Sequence, residues 1–368
     1  MANPPPPYDN ITGISRAAMK DNAQVTLAEY DGNARPGELV VDQTTSIVYV
    51  GNALGDLTAV ATPGGATTWA LLGDKVGAAG PTIIALGQNA GFDGQDTGAV
   101  AIGSTAGQGG QQSAAVAIGQ NAGGNTTQGS GAVAIGISTA YDAQGQYGVA
   151  IGPFTAMTSQ GARSVAIGLS SGQTSQGTDA VAIGQYAGNE IQGNSAVAIG
   201  NSAGYTGQSV SAVAIGSEAA QSGQGELAVA IGSIAGKTSQ GNAAVAVGAG
   251  AGANTQGVQA VAIGTDAGAT LQANRAVAVG YLAGSSGQGT AAVAIGYYAG
   301  ELNQGNNSII INATDTSLQQ TTANTFTVKP VRAVTSVTFA APTAGSIPVG
   351  FSPVYYNPTT GELIVITP

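Results

Sequence analysis

No histidine and no cysteine occurs among the 368 residues. Their absence removes Ser-His-Asp and Cys-His nucleophiles, imidazole and thiolate metal sites, and any disulfide framework. Carboxylates are present, but Asp142, Asp179, Glu190, Glu218, Glu226, Asp266 and Glu301 stand singly in polar segments. Glycoside hydrolysis needs two of them facing one cleft. The chain is therefore expected to be no enzyme and to carry no cofactor. What does recur is a carboxamide. Gln95, Gln111, Gln128, Gln144, Gln160, Gln176, Gln192, Gln208, Gln224, Gln240, Gln256, Gln272, Gln288 and Gln304 follow one another at sixteen-residue steps, with a single step of seventeen before Gln128. An amide both donates and accepts, so copies stacked at ~4.8 Å can bond to one another as an axial ladder. The functional alternative is a flat row of amides that binds a repetitive ligand. The ladder is the expectation, because one fixed column per repeat is what control of register requires.

The elements that would hold such a column can be read from the residues around it. Eight residues before each glutamine (nine for Gln128) stands a glycine that closes the motif AVAIG or a close variant of it, from Gly87 to Gly296. From Gly103 onward the third residue before this glycine is always Val, and the residue just before it is Ile, or Val at Val247 and Val279. Small and β-branched residues alternate there at period two, the mark of a strand. Both faces of that strand are apolar, so both must be covered. Glycines and small residues behind it supply a corner with positive φ. Sixteen residues then divide into two short strands and two turns, one coil of a parallel β-roll or β-solenoid. The fold expected is all-β, about 15 sixteen-residue coils, with small β-rich N- and C-terminal segments. One coil's second strand covers only one face of its AVAI strand, and another copy of the chain must cover the other. Val165, Val181, Val197 and Val213, with Ile167, Ile183, Ile199 and Ile215, are the residues expected in the core between copies.

Composition narrows the partners. Charged residues make up only 8% and the formal net charge is −10 with nine Lys and Arg, so no basic patch can neutralise a phosphate backbone and nucleic acid is not expected as a partner. No run of about 18 large apolar residues exists, and membrane insertion is not expected either. The N-terminal MANPPPPYDNITG lacks the basic-then-apolar pattern of a secretion signal. A calcium-binding G-G-x-G-x-D repeat and a Thr-x-Thr ice-binding ladder are both missing.

The AVAIG repeats with small residues and glycine behind them resemble the head repeats of YadA-type trimeric autotransporter adhesins, over about residues 81–312. The resemblance implies a left-handed parallel β-roll in which three chains wind around a common apolar core. The period of 16 departs from the 14 or so usual there, and the heptad stalk and C-terminal membrane anchor of that family have no counterpart in this sequence. The flanks are similar to virion appendage proteins: RPGELVVDQTTSIVYVGN (35–52) resembles N-terminal β-segments of phage tail fibres, and NSIIINATDTSLQQTTANTFTVKPVR with YYNPTTGEL resembles C-terminal fibre segments of phages and large algal viruses. What this implies is a non-enzymatic homotrimeric fibre or spike of a virus particle, made in the host cytoplasm and residing in the virion. The alternative it leaves is a bacterial cell-surface trimeric adhesin.

The organisation expected is a leader, 1–20, whose Pro-rich stretch docks on other virion proteins; an N-terminal β-segment, 21–80; the β-roll shaft, 81–312; and a C-terminal cap or tip, 313–368. Tyrosines and phenylalanines after the corner glycine, among them Phe154, Tyr186, Tyr205, Tyr297 and Tyr298, are placed to stack on sugars or are plain surface. Phe351, Tyr355 and Tyr356, with Phe326 and Phe339, either line a tip that touches a host-surface glycan or protein, or close the end of the roll. Sequons at Asn10, Asn125, Asn306 and Asn312 are read as chance.

Overall fold

The computed structural model describes residues 83–331 throughout, together with five further strands as backbone: Leu39–Asp42, Ile47–Gly51, Leu57–Ala61, Val354–Tyr356 and Glu362–Val365. The chain divides into two compact units, Met1–Trp69 and Ala70–Pro368. In the first unit the three strands form an antiparallel sheet in sequence order, with an irregularity between Val48 and Tyr49. Phe351 and the leader 1–20 lie outside the described residues.

The second unit is a parallel β-solenoid of about 15 turns, and no helix occurs among the described residues. Each Val-Ala-Ile triplet forms a strand that pairs in parallel with the triplet one coil on, Val165 with Val181 and Val181 with Val197, each residue opposite its own equivalent. This ladder runs from Ile84–Leu86 to Phe326–Lys329. A second ladder of nine strands, Asp142–Gln144 to Thr270–Gln272, carries the glutamines. Single bridges extend it at both ends, Gln95 to Gln111 to Gln128 and Thr270 to Ser286 to Leu302. The extra residue of the seventeen-residue coil falls in the exposed stretch between Asn125 and Gln128. Asn125 N still donates to Tyr141 O as its counterparts do, and Gln128 stays in line.

The corner glycine explains itself. Gly184 has φ +126, and a methyl placed on it would sit 2.6 Å from the Gly200 carbonyl oxygen of the next coil. Only glycine combines that dihedral with so close a stacking of backbones. At the C-terminal end the parallel ladder is closed by antiparallel pairing. Phe326 pairs with Leu363, and Glu362–Val365 forms a hairpin with Val354–Tyr356. Tyr355 and Tyr356 thus lie in a strand that pairs within this terminal hairpin.

Facing is the feature that an apolar/apolar strand leaves open, and the structure settles it for the single chain. The alanines point inward: Ala180, Ala182, Ala196, Ala198, Ala212 and Ala214 are fully buried. The Val and Ile on either side of the central alanine point away from the coil interior and stay partly exposed, Ile183 at 36% and Ile263 at 41%. The interior of a coil is consequently thin, filled by alanine columns and the glutamine side chains. Among the described residues, large apolar side chains enter it only at Ile310 and Leu318, where the pattern ends.

Candidate functional site

The chain's most regular polar feature is the glutamine column, and it lies inside the coil. Gln111 and every later member are buried. Each Nε2 up to that of Gln288 donates to the Oε1 of the glutamine one coil on, over 2.8 Å from Gln128 to Gln144 and 3.1 Å from Gln208 to Gln224. Gln95 donates likewise to Gln111 Oε1. The same Nε2 reaches two carbonyls of its own coil. Gln208 Nε2 lies 2.8 Å from Val197 O and 3.2 Å from Ala212 O. The contact to Val O ties the glutamine strand to the Val-Ala-Ile strand across the narrow interior, so one side chain both spans the coil and links it to the next. All the amides point the same way along the axis. At the start of the row Gln95 Oε1 is buried with no donor among the described residues. From Gln111 onward the row is buried and its acceptors are already filled, so along that length it offers nothing to an outside ligand.

A glycine four residues after the corner makes room for this amide. A methyl on Gly204 would meet Gln208 Oε1 at 2.9 Å. Ala140, Ala156 and Ala220 occupy the same place at φ near +48, where the ladder still runs through.

Three further devices carry no signal in the residue pattern. The residue three after the corner is buried Ala in most coils, but Thr139, Thr155 and Ser171 replace it in three consecutive ones, each sending its hydroxyl to a backbone carbonyl of the next coil. Asn194, Asn242, Asn274 and Asn306 each accept, through Oδ1, the backbone N–H of the coil before, at 2.8–3.1 Å. Asn312, at the corner position where glycine ends, is buried and donates from Nδ2 to Tyr297 O and Thr316 O at 2.7 Å each. Its burial leaves no room for a glycan. The mixed residue types at these positions hide their shared role.

Outward-facing chemistry is sparse. Arg163 pairs with Asp179 of the next coil at 2.7 Å and Lys237 with Glu218 at 2.7 Å, both on the surface. The hydrogen bond from Arg163 holds the Asp179 carboxyl below its ordinary value. Exposed pairs of this kind contribute little stability. Among the described residues no group of acids could hold a metal ion, and no helix is long and apolar enough to cross a membrane. Tyr186 and Tyr205 meet edge to face with centroids 6.2 Å apart. Tyr281 and Tyr297 stack at 5.4 Å with Tyr298 against them, its centroid 4.4 Å from that of Tyr297. Burial, with the two neighbouring phenols, pushes the Tyr298 hydroxyl up to about 12.

An outward apolar stripe is made by the Val and Ile columns. Val165, Val181, Val197 and Val213 with Ile167, Ile183, Ile199 and Ile215 lie side by side on it, each partly exposed. Thirteen strands at ~4.8 Å, each three residues of ~3.3 Å wide, span roughly 600 Å² of flat sheet. A sheet face of that extent is at the upper end of what a monomer surface usually presents. No family model, curated protein or solved structure matches the chain, so the fold and this stripe are what define it.

Proposed function

We propose that the chain is a structural protein, the shaft of a homotrimeric fibre or spike on a virus particle. The observation that carries the reading is the Val and Ile stripe, which continues over every regular coil on the side that the chain's own second sheet does not cover. A partner with the same repeat along its whole length is another copy of the chain, and the head-repeat resemblance of residues 81–312 supplies the number three. The interchangeable coils, each closed by the same glutamine and the same corner glycine, serve as length. The resemblance of the flanks supports the virion, with the N-terminus docking on other virion proteins and the far end available to a host-surface glycan or protein.

Deleting residues 185–216 removes two whole coils and joins Gly184 to Ser217, leaving every column in phase. The fibre should shorten by ~10 Å in electron micrographs, two coils at ~4.8 Å, with its subunit number unchanged. Antibody raised against the purified chain should label intact particles from a producing culture. A collapsed assembly would overturn the role as spacer, and unlabelled particles would overturn the assignment to the virion.

A further inference from the structure

A strictly periodic interface has a weakness. If two copies slip by one coil, Val again faces Val and Ile faces Ile, and twelve of the thirteen Val levels remain matched. The stripe therefore binds strongly and says little about axial alignment, as with any repeat whose neighbouring registers are near equal. The seventeen-residue coil does not break the tie. Its extra residue lies on the glutamine side, and Val116 still pairs with Val133 on the stripe.

Within the repeats, alignment has to come from positions that differ between coils and flank the stripe. The residue directly after the corner glycine is two beyond the Ile column. It is Gln, Ser, Asn, Ala or Thr in nine of the fourteen coils. The five exceptions are not scattered: Ile137, Pro153 and Leu169 occupy three consecutive coils, and Tyr281 and Tyr297 the last two. Ile137 is 52% exposed, Tyr281 44% and Tyr297 43%, so their bulk is not used to fill the interior of the coil. The Tyr281 and Tyr297 rings are 16° from parallel, and Tyr298 meets both at 70°. They form a preorganised aromatic block. Two bulky blocks separated by six coils of small or polar residues match a second copy in one register alone, since any slip sets a block against the small residues of the intervening coils.

We infer that the Tyr281–Tyr297–Tyr298 block and the Ile137–Pro153–Leu169 block fix the axial register between copies of this chain. The inference rests on the stripe being the face between copies, and the following experiment separates the two. Because the chain has no cysteine, single substitutions report without background. Full-length chains carrying Val197→Cys and Val213→Cys, one distinguished by a mass tag, are co-expressed and oxidised, and interchain disulfides are sorted by mass spectrometry. Disulfides need Cα atoms within about 7 Å, so an offset of one coil is penalised. With the blocks intact, like pairs should dominate. Tyr281→Ser/Tyr297→Ser/Tyr298→Ser and, separately, Ile137→Gln/Pro153→Gln/Leu169→Gln use residue types that other coils carry on the same corner. Each should leave the β-sheet signal and subunit number unchanged and raise the share of unlike pairs severalfold, most of all when combined. Unlike pairs remaining at the starting level in both block variants, with like pairs still formed, would overturn the register role. An oligomer that forms no disulfide at residue 197 in any background would overturn the face assignment, and a monomer would overturn the reading of the stripe itself.

Discussion

Replacing Gln208 by Glu tests the ladder with one atom. Gln208 is buried, and its Nε2 faces three oxygens: Val197 O at 2.8 Å, Ala212 O at 3.2 Å and Gln224 Oε1 at 3.1 Å. Its Oε1 accepts from Gln192 Nε2 at 3.1 Å. In Gln208→Glu the acid keeps the acceptor role towards Gln192, while its second oxygen replaces the donor. Protonated, it can donate to one of the three oxygens, and the loss is about one buried hydrogen bond, ~1–2 kcal/mol. Ionised, it places a negative charge against three acceptors with no cation near. Burial and those oxygens both favour the neutral acid, so its folded pKa must rise above the ~4.3 of an exposed Glu. A raised folded pKa means that the stability is present below the unfolded value and is lost as pH climbs towards the folded one. A shift of ~3–5 units for a buried acid would cost ~4–5 kcal/mol at pH 8, at 1.36 kcal/mol per unit over the interval from ~4.3 up to the folded value or pH 8, whichever is lower. Urea unfolding followed by circular dichroism should show a modest loss at pH 4 and a much larger one at pH 8. Gln208→Leu, which cannot ionise but leaves Gln224 Oε1 without a donor, should lose ~1–3 kcal/mol at both pH values. A Glu variant equally stable at pH 4 and pH 8 would show that the residue 208 side chain is not held between those oxygens.

Two more predictions concern backbone and surface. Gly200→Ala places a methyl 2.6 Å from Gly216 O at φ +130, whereas Gly207→Ala, at φ +68, meets nothing nearer than Gly223 N at 4.0 Å. The first should cost at least ~2–3 kcal/mol, the second about 1 kcal/mol, and equal thermal midpoints would refute the close stacking of corners. Ile191 is β-branched, 63% exposed and held at φ +51. Ile191→Asn should stabilise by about 1 kcal/mol, because Asn tolerates the left-handed region and no packing is lost; a lowered midpoint would mean that the side chain has a contact in the assembly.

Much of this was legible in the residues. A fixed period, Val-Ala-Ile at period two and a glutamine eight residues past a glycine define the coil, its parallel ladders and the amide row. The direction of facing was not, because Ala180, Val181, Ala182 and Ile183 are all apolar and alternation cannot rank them. The narrowness of the coil decides it, since alanine fits inside and valine and isoleucine are left outside. Nor were the left-handed positions beyond the corner glycines, where positive φ is expected and found. It is held also by Phe154, Tyr186 and Leu227 in turns and by Ile191 and Leu271 within the glutamine strands, bulky types that rarely adopt it. Closure by coil stacking overrides that preference. The buried hydroxyls of Thr139, Thr155 and Ser171 were hidden in a column that is otherwise alanine.

The central claim is that the Val and Ile stripe is a face between copies, and native mass spectrometry of the full chain tests it most directly. The account predicts a species of three times the 35.5 kDa chain mass that persists on dilution. In Val197→Asp that species should be lost, because an unpaired charge buried between copies costs several kcal/mol. A folded monomer from the unaltered chain, or a trimer undiminished by Val197→Asp, would contradict it.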